Sequence, residues 1–233
     1  FKSLLFSKIK TIKEFETINL VTNVNYELFK KNFIMSGLNL AFLGHYVAKE
    51  TRIIKNLYHW PDGLFKFIFF NKKTEKIPGR DFVNNLKIPE FIKKIHVLGD
   101  LPKINKKYLK DKFKKKIIHT NLPFGDLDLI LKSVPTIDKD TICFLTLPTP
   151  KQEQVAEYIS NRQSEYKIFC IGGAINMITG MEAPCPNFLE NYGLETIWRL
   201  KTDTKRRTKR LFKTLSLFVY GLIFGKFKNL KGR

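Results

Sequence analysis

Cysteine and histidine are scarce in this sequence, and their scarcity limits the metal and redox chemistry that it can support. The three cysteines form no Cys-x-x-Cys pair, so they predict neither a zinc ribbon nor a disulfide framework, and we expect them to be reduced. The four histidines show no metal-ligand spacing with one another or with a cysteine. A phosphate-binding Gly-Lys-Ser/Thr loop is also absent from the sequence. These residue types therefore predict no metal site.

Acidic residues are few: 21 Asp and Glu face 42 Lys and Arg, which gives a formal net charge of +21. A chain this basic is expected to bind a polyanion, either nucleic acid, anionic lipid or a phosphorylated substrate. Lysine supplies 34 of the cations, and an AT-rich coding sequence would produce part of that excess without any partner. The lysine-rich residues 103–116 are accordingly interpreted as a solvated helix face. Arginine is more informative because it is rare, and five of the eight lie in the last 35 residues: Arg199, Arg206, Arg207, Arg210 and Arg233.

The sequence lacks an apolar run of the roughly 20 residues that a membrane-spanning helix needs. Its longest candidate, residues 211–224, is 14 residues long and contains Lys213. Ten Lys or Arg and no acidic residue follow Asp203. We predict that residues 196–233 form a basic, amphipathic, helical appendage that lies on an anionic membrane surface, beside a catalytic domain of residues 1–195. The alternative is a C-terminal helix that packs its apolar side on the core.

The N-terminal segment does not have the pattern of a secretory signal peptide, because Lys2, Lys8 and Lys10 interrupt its apolar residues. We therefore expect the chain to act in the cytoplasm, peripherally on the inner face of the cell membrane.

Apolar, β-branched runs alternate with helical segments along the chain, which predicts an α/β fold with a mostly parallel sheet and helices on both faces. In such sheets ligands bind at the carboxyl ends of the strands, where the loops at residues 23–25, 148–150 and 172–176 are expected. The predicted strands are residues 18–24, 38–43, 95–99, 117–119, 141–147 and 166–171, and the predicted helices include residues 26–35, 48–57 and 152–161.

Three groups of motifs are more specific when they are taken in order. Together they resemble the WecG/TagA/CpsF family of bacterial glycosyltransferases, from about Asn19 to Arg210, although the resemblance is poor between Asp100 and Asp140. The motifs are Asn25-Tyr-Glu27 followed by Pro61-Asp-Gly63; Pro150-Lys-Gln-Glu153 after an apolar strand; and Gly172-Gly173, Thr179-Gly180, Gly193-Leu-Glu195 and Trp198-Arg-Leu200 before the basic tail.

The resemblance implies a Rossmann-like α/β domain with a C-terminal appendage that meets the membrane. It implies an inverting transfer from a UDP-sugar, with N-acetylmannosamine, its uronic acid or a related hexose as the sugar. The implied acceptor is N-acetylglucosamine linked to a polyprenyl diphosphate, as in cell-surface polysaccharide biosynthesis. It also implies that neither a metal nor another cofactor is required and that the chain can form homo-oligomers, although no segment identifies an interface.

The resemblance also implies roles for individual residues. Asp62 matches the general base of the family. The donor sugar and nucleotide would be bound by Asn23, Asn25, Lys76, Gln152, Gly173 and Asn176. The acceptor diphosphate would be bound by Arg199, Arg206, Lys209 and Arg210.

Several positions depart from the family pattern. Asn23 stands where Thr is usual, Lys76 where Arg is usual and Asn176 where Asp is usual, while Arg80 is placed to compensate for Lys76. Further departures are Pro148 for Gly, Pro184 for Arg and Thr196 for Trp. Because of these changes, the identity of the donor sugar is not determined. They also allow the alternative that this chain has kept the family's fold and lost its reaction.

Other motifs have simpler explanations. Asp126-Leu-Asp128 matches the acid-x-acid pattern of metal-dependent sugar transferases, but after Gly125 these acids are expected to cap a helix. Gly172-Gly173 indicates either close approach of a ligand to the backbone or a tight turn, and Asp62 could be an ordinary turn residue. A non-catalytic basic protein that binds membranes or nucleic acid is the alternative function. Because no nucleic-acid-binding motif is present, no nucleic acid partner is predicted.

Overall fold

The sheet is parallel throughout the part of the chain that the structure describes. A computed structural model describes residues 16–62, 75–183, 185–186, 198, 204–228 and 230–232, with residues 204–207 and 231–232 by main chain alone. Seven strands lie in the order β5-β4-β6-β7-β2-β3-β1, and a three-residue strand, β8, pairs with β1 at one edge. The strands are β1 Glu16–Leu20, β2 Phe33–Gly37, β3 Leu57–Trp60, β4 Lys94–Leu98, β5 Lys116–Thr120, β6 Thr141–Leu145, β7 Lys167–Cys170 and β8 Leu230–Gly232.

The central strands explain the uninterrupted apolar runs of the sequence. Every residue of β2, β6 and β7 is buried, as expected for strands that helices cover on both faces. The edge strand β5 contains only exposed and half-buried residues instead. The predicted α/β fold with a parallel, Rossmann-like sheet is therefore confirmed.

Two hydrophobic clusters lie on opposite faces of the sheet. One contains apolar side chains of α1, α4 and α5, and the other contains those of α2, α3, α6 and a 3₁₀ helix. A C-terminal helix, α7, adds Phe218 to the first cluster. The helices are the 3₁₀ helix Tyr26–Lys30, α1 Leu40–Val47, α2 Gly79–Asn85, α3 Lys103–Phe113, α4 Leu127–Lys132, α5 Lys151–Arg162, α6 Ala174–Ile178 and α7 Thr204–Ile223.

The chain leaves the neighbouring strands β2 and β7 toward opposite faces. β2 continues into α1 on the first face, whereas β7 continues into α6 on the second. A crevice forms where adjacent parallel strands diverge in this way, at their carboxyl ends. The fold therefore places the loops after β2, β3, β6 and β7 around one edge of the sheet.

Three predicted elements near the N-terminus were wrong. The helix predicted for residues 26–35 ends at Lys30 and is followed by β2, because Phe33 and Met35 are buried in the sheet between β7 and β3. The strand predicted for residues 38–43 is the start of α1. The helix predicted for residues 48–57 is a loop in which Lys49 and Asn56 have positive φ, and Leu57 begins β3. Short apolar runs have no periodicity that distinguishes a strand from a helix. Which segments form strands therefore depends on their pairing with other strands of the sheet.

The C-terminal helix α7 packs along α1. A Cβ placed on Gly44 would lie 2.8 Å from the Thr214 side chain and carbonyl oxygen, and one placed on Gly221 would lie 2.6 Å from Val47. Both contacts progress in the same direction along the two helices, so α7, like α1, begins at the carboxyl edge of the sheet. Thr214, Phe218 and Phe227 are buried. The helix thus docks on the core, which was the alternative expectation for the tail.

The outer side of α7 remains apolar and exposed. The exposed apolar side chains of this segment are Phe212, Leu215, Val219, Tyr220, Leu222, Ile223 and Phe224, the last of which directly follows the helix. Within the described ranges, no helix is both long and apolar enough to cross a membrane.

Candidate active site

The carboxylate of Asp62 is held by both of its oxygens at the carboxyl edge of the sheet. Asp62 follows the last residue of β3 by two positions and is half-buried. Its Oδ2 accepts a hydrogen bond from Asn39 Nδ2 at 3.0 Å, and its Oδ1 accepts one from the Gly79 amide at 3.1 Å. A Cβ placed on Gly37, the last residue of β2, would lie 2.8 Å from Oδ2. The carboxylate therefore has a fixed orientation in a space that requires glycine beside it.

Asn39 links this carboxylate to the start of α1. Its Oδ1 accepts a hydrogen bond from the Phe42 amide at 3.0 Å, which makes it the N-cap of the helix. Its Nδ2 is thereby directed at Asp62. Sequence reasoning missed Asn39, although an Asn three residues before the apolar Phe42 is a recognisable N-cap pattern.

Asn25, which the resemblance places beside the donor sugar, also caps a helix. It is the N-cap of the 3₁₀ helix and accepts a hydrogen bond from the Leu28 amide at 3.0 Å. Asn23 lies two residues earlier in the loop after β1, and both side chains are exposed. Of the asparagines in these first loops, the structure brings Asn39 into contact with Asp62.

The segment before α2 brings cationic residues to the same edge. The Ile77 amide donates to the Pro61 carbonyl oxygen at 2.8 Å, so Lys76 lies on a stretch that runs beside Pro61 and Asp62. Arg80 follows Gly79, and its side chain is only 17% exposed. A Cβ placed on Gly79 would lie 3.8 Å from the Cβ of Ala174, which places α6 next to this segment. Lys76 and Arg80 thus lie within a few residues of the groups that bind Asp62.

Gln152 joins two loops of the site through its side-chain amide. It is buried on the first turn of α5. Its Nε2 donates to Thr149 Oγ1 at 3.0 Å and to Glu153 Oε1 at 2.9 Å, while its Oε1 accepts from the Gly172 amide at 3.1 Å. Both N–H groups are used within the protein, so Gln152 holds the turn at Gly172, whose φ of +52° favours glycine.

Asn176 and Gly173 lie on the turn and short helix that follow β7. Asn176 Oδ1 accepts from Asn105 Nδ2 at 2.5 Å, and Thr179 Oγ1 donates to Asn105 Oδ1 at 2.6 Å. Asn105 is buried on α3, so Asn176 helps to fasten α6 to α3. Gly173 is exposed at the start of α6.

The first turns of α7 reach the same edge. Arg210 donates to the Thr149 carbonyl oxygen at 3.1 Å, and Lys209 is exposed beside it. One turn further on, Lys213 Nζ lies 2.9 Å from Glu50 Oε1, and Glu50 Oε2 lies 2.6 Å from His45 Nδ1. Burial lowers the pKa of His45. Arg206 belongs to the first turn of α7 by main chain, while its side chain and Arg199 lie outside the described residues.

The acid-x-acid motif has the role that was predicted for it. Asp126 caps α4 by accepting a hydrogen bond from the Asp128 amide at 3.3 Å. The described part of the chain contains no group of three or more His, Cys, Asp or Glu side chains that could hold a metal ion.

The carboxyl edge of the parallel sheet, where ligands of such sheets bind, thus holds one fixed carboxylate and several cationic residues. A family model of the glycosyl transferase WecG/TagA/CpsF family matches residues 64–232, and the chain belongs to that family of glycosyltransferases. The match contains Lys76, Gln152, Gly173, Asn176 and the tail, and it begins two residues after Asp62. A comparison with curated proteins gave no match.

Proposed function

We propose that the chain is an inverting glycosyltransferase that transfers a sugar from a UDP-sugar to an acceptor linked to a polyprenyl diphosphate. Membership of the family supports the transfer of a sugar. The observation that carries the proposal is the Asp62 carboxylate, which Asn39 and Gly79 hold at the carboxyl edge of the sheet. A carboxylate held in one orientation in this way is suited to act as a general base.

In the proposed step, Asp62 removes the proton of the acceptor hydroxyl group. The hydroxyl oxygen forms a bond to the anomeric carbon as the bond from that carbon to the UDP oxygen breaks. UDP leaves with the electron pair, and the proton stays on Asp62 until solvent takes it. A positioned base typically contributes about 10²–10⁴-fold to such a rate.

Cations at the same edge would stabilise the charge that grows on the leaving diphosphate. Lys76 and Arg80 lie beside the segment that binds Asp62, and Arg210 reaches the neighbouring loop at Thr149. The planar guanidinium of an arginine binds pairs of phosphate oxygens. The turn at Gly172 and Gly173 and the adjacent Asn176 complete the proposed donor site.

The outer side of α7 is the proposed contact with the inner face of the cell membrane. Its exposed apolar residues lie among exposed lysines, including Lys209, Lys213, Lys226 and Lys228. Each such cation near an anionic leaflet contributes about 1 kcal/mol. Because α7 begins at the carboxyl edge, a membrane against its outer side would bring a lipid-linked diphosphate close to Arg210.

A UDP-release assay with a panel of UDP-sugars and a short-chain polyprenyl-diphosphate N-acetylglucosamine tests the proposal. The variant is Asp62→Asn, and the matched control is Asp126→Asn, which keeps the cap of α4. We expect release that depends on the acceptor, is lost in Asp62→Asn and persists in the control. Equal release by Asp62→Asn would refute the role of Asp62. If the folded wild type released no UDP with any pair, the alternative of a non-catalytic basic protein would be favoured.

A further inference from the structure

A second carboxyl group, that of Glu153, is buried beneath the loops of the site. Glu153 is on the first turn of α5 and is 7% exposed. Its Oε1 lies within hydrogen-bond distance of three donors: Ser36 Oγ at 2.7 Å, Gln152 Nε2 at 2.9 Å and Thr149 Oγ1 at 3.1 Å. Its Oε2 is buried and has no hydrogen-bond partner among the described residues. Burial raises the pKa of this carboxyl group.

Each of the three donors belongs to a different part of the site. Ser36 directly precedes Gly37, which packs against Asp62 Oδ2. Thr149 uses its carbonyl oxygen to accept the hydrogen bond of Arg210 from α7. Gln152 holds the Gly172 amide. One carboxyl oxygen therefore joins the strand under Asp62, the loop that receives the C-terminal helix and the turn after β7.

A buried carboxyl group is costly to retain for stability alone. Removing it from water is unfavourable, and its hydrogen bonds only partly offset that cost. Apolar side chains often replace buried charged groups without loss of stability. A polar network in a low-dielectric interior does, however, impose one geometry on its members. Glu153 is placed to impose such a geometry on the site, because its hydrogen-bond partners Ser36, Thr149 and Gln152 belong to the segments that form it.

We propose that Glu153 is a positioning residue that fixes the end of β2, the Thr149 loop and the Gly172 turn relative to one another. Its effect on turnover rests on the proposed function, whereas its effect on geometry does not. Thr149 contacts both Glu153 and Arg210. The position of the Gly172 turn and the docking of α7 are therefore coupled through Thr149 and Glu153.

The test compares Glu153→Leu and Glu153→Gln with the control Glu157→Gln. Glu157 lies one turn further along α5, where it pairs with Arg52 at 2.6 Å on the surface. Hydrogen exchange of the Gly172 amide, followed by NMR on the substrate-free protein, measures the geometry. The kcat and KM for UDP-sugar and acceptor measure its effect on turnover.

The Gly172 amide also donates to the Leu145 carbonyl oxygen at 3.1 Å, so Glu153→Leu weakens one of its two hydrogen bonds. We expect this amide to exchange roughly 2–10-fold faster in that variant. We expect kcat to fall by about tenfold or more and the KM for the donor to change less. Glu153→Gln should recover most of both properties, because its amide oxygen can accept the same donors. The control should match the wild type in both measurements.

Wild-type exchange at Gly172 in a folded Glu153→Leu protein would overturn the proposal, whatever the turnover. If that variant does not fold, Ser36→Ala and Thr149→Val each remove one donor and decide the question. Thr149→Val should speed exchange at Gly172 through the loss of support for Gln152, and unchanged exchange in both variants would overturn the proposal. If the wild type shows no turnover, the proposed function fails, while the exchange measurements still test the role of Glu153.

Discussion

Replacement of Asn39 by alanine should lower turnover much more than replacement of Asp126, although both residues cap the start of a helix. Asn39→Ala removes the donor that lies 3.0 Å from Asp62 Oδ2 and the acceptor for the Phe42 amide. Asp126→Ala removes only the acceptor for the Asp128 amide. The pair separates the loss of a cap from the loss of a contact with the proposed base.

The magnitude follows from these contacts. A hydrogen bond to a charged group is worth about 1.5–3 kcal/mol, which corresponds to roughly 10–150-fold in rate if the whole term is needed in the transition state. We therefore expect kcat to fall about 10–100-fold in Asn39→Ala. The lost N-cap should lower the free energy of unfolding by about 1 kcal/mol in either variant.

Steady-state UDP release and chemical denaturation would measure both quantities. Asn39→Asp is a further variant, because its carboxylate can still cap α1 but would place a second negative charge beside Asp62. The free energy of unfolding of Asn39→Asp should be close to or above that of Asn39→Ala. Its kcat should be as low as that of Asn39→Ala or lower. If kcat in Asn39→Ala stayed within about twofold of the wild type, or fell more in Asp126→Ala, the argument from the Asp62 contacts would be refuted.

Three further predictions concern stability and membrane contact. Burial lowers the pKa of His59 to about 4, against about 6.5 in an unfolded chain; the unfolded state therefore binds the proton more readily, and this contribution to stability is complete above about pH 6.5 and is lost as the pH falls toward 4. At pH 5.5 the loss is about 1.4 kcal/mol. Between pH 7.5 and 5.5, the free energy of unfolding measured by denaturation should therefore fall by about 1.4 kcal/mol less in His59→Leu than in the wild type. An equal fall in both proteins would contradict the assignment. Gly44→Ala would place a Cβ 2.8 Å from the backbone of Thr214 and should lower the free energy of unfolding by about 1–3 kcal/mol. Gly173→Ala is the control in chemical denaturation, because Gly173 has a negative φ and its Cβ would meet Glu182 Oε2 at an ordinary 3.7 Å. Combined replacement of Phe212, Ile223 and Phe224 by serine should weaken binding to anionic vesicles in a sedimentation assay. The melting temperature should not fall, since these side chains are 63–72% exposed. Unchanged vesicle binding would show that the outer side of α7 is not the membrane contact.

The sequence alone was sufficient for the fold class and for the family. Strands such as β6 and β7 are buried on both faces, so each appears as a continuous apolar run between helices, and that pattern identifies a parallel sheet. The residues around Asp62 predicted a turn, but the sequence predicted a helix over residues 48–57 and no strand before Pro61, so only β3 in the structure places Asp62 at the carboxyl edge. The cap at Asp126 was equally local, because it depends on residues within one helical turn.

The partners of Asp62 could be determined only from the tertiary structure. Residues 38–43 are apolar enough for a strand, and the N-cap pattern at Asn39 does not by itself decide between a strand and a helix there. Parallel pairing of β2 with both β3 and β7 sets where β2 ends, and that ending directs Asn39 at Asp62. The role of Gln152 was likewise hidden, because its contact with Gly172 joins residues 20 positions apart.

The C-terminal segment shows the same division. Its charge and apolar pattern predicted a helix, which α7 confirms, but the pattern does not say which side of that helix packs on the protein. Gly44 of α1 allows the backbone of Thr214 to approach closely, and this fit buries one side of α7 and leaves the other exposed. Local patterns in a sequence determine which elements can form, whereas contacts between distant residues determine how they meet, because those contacts depend on the shapes of both surfaces at once.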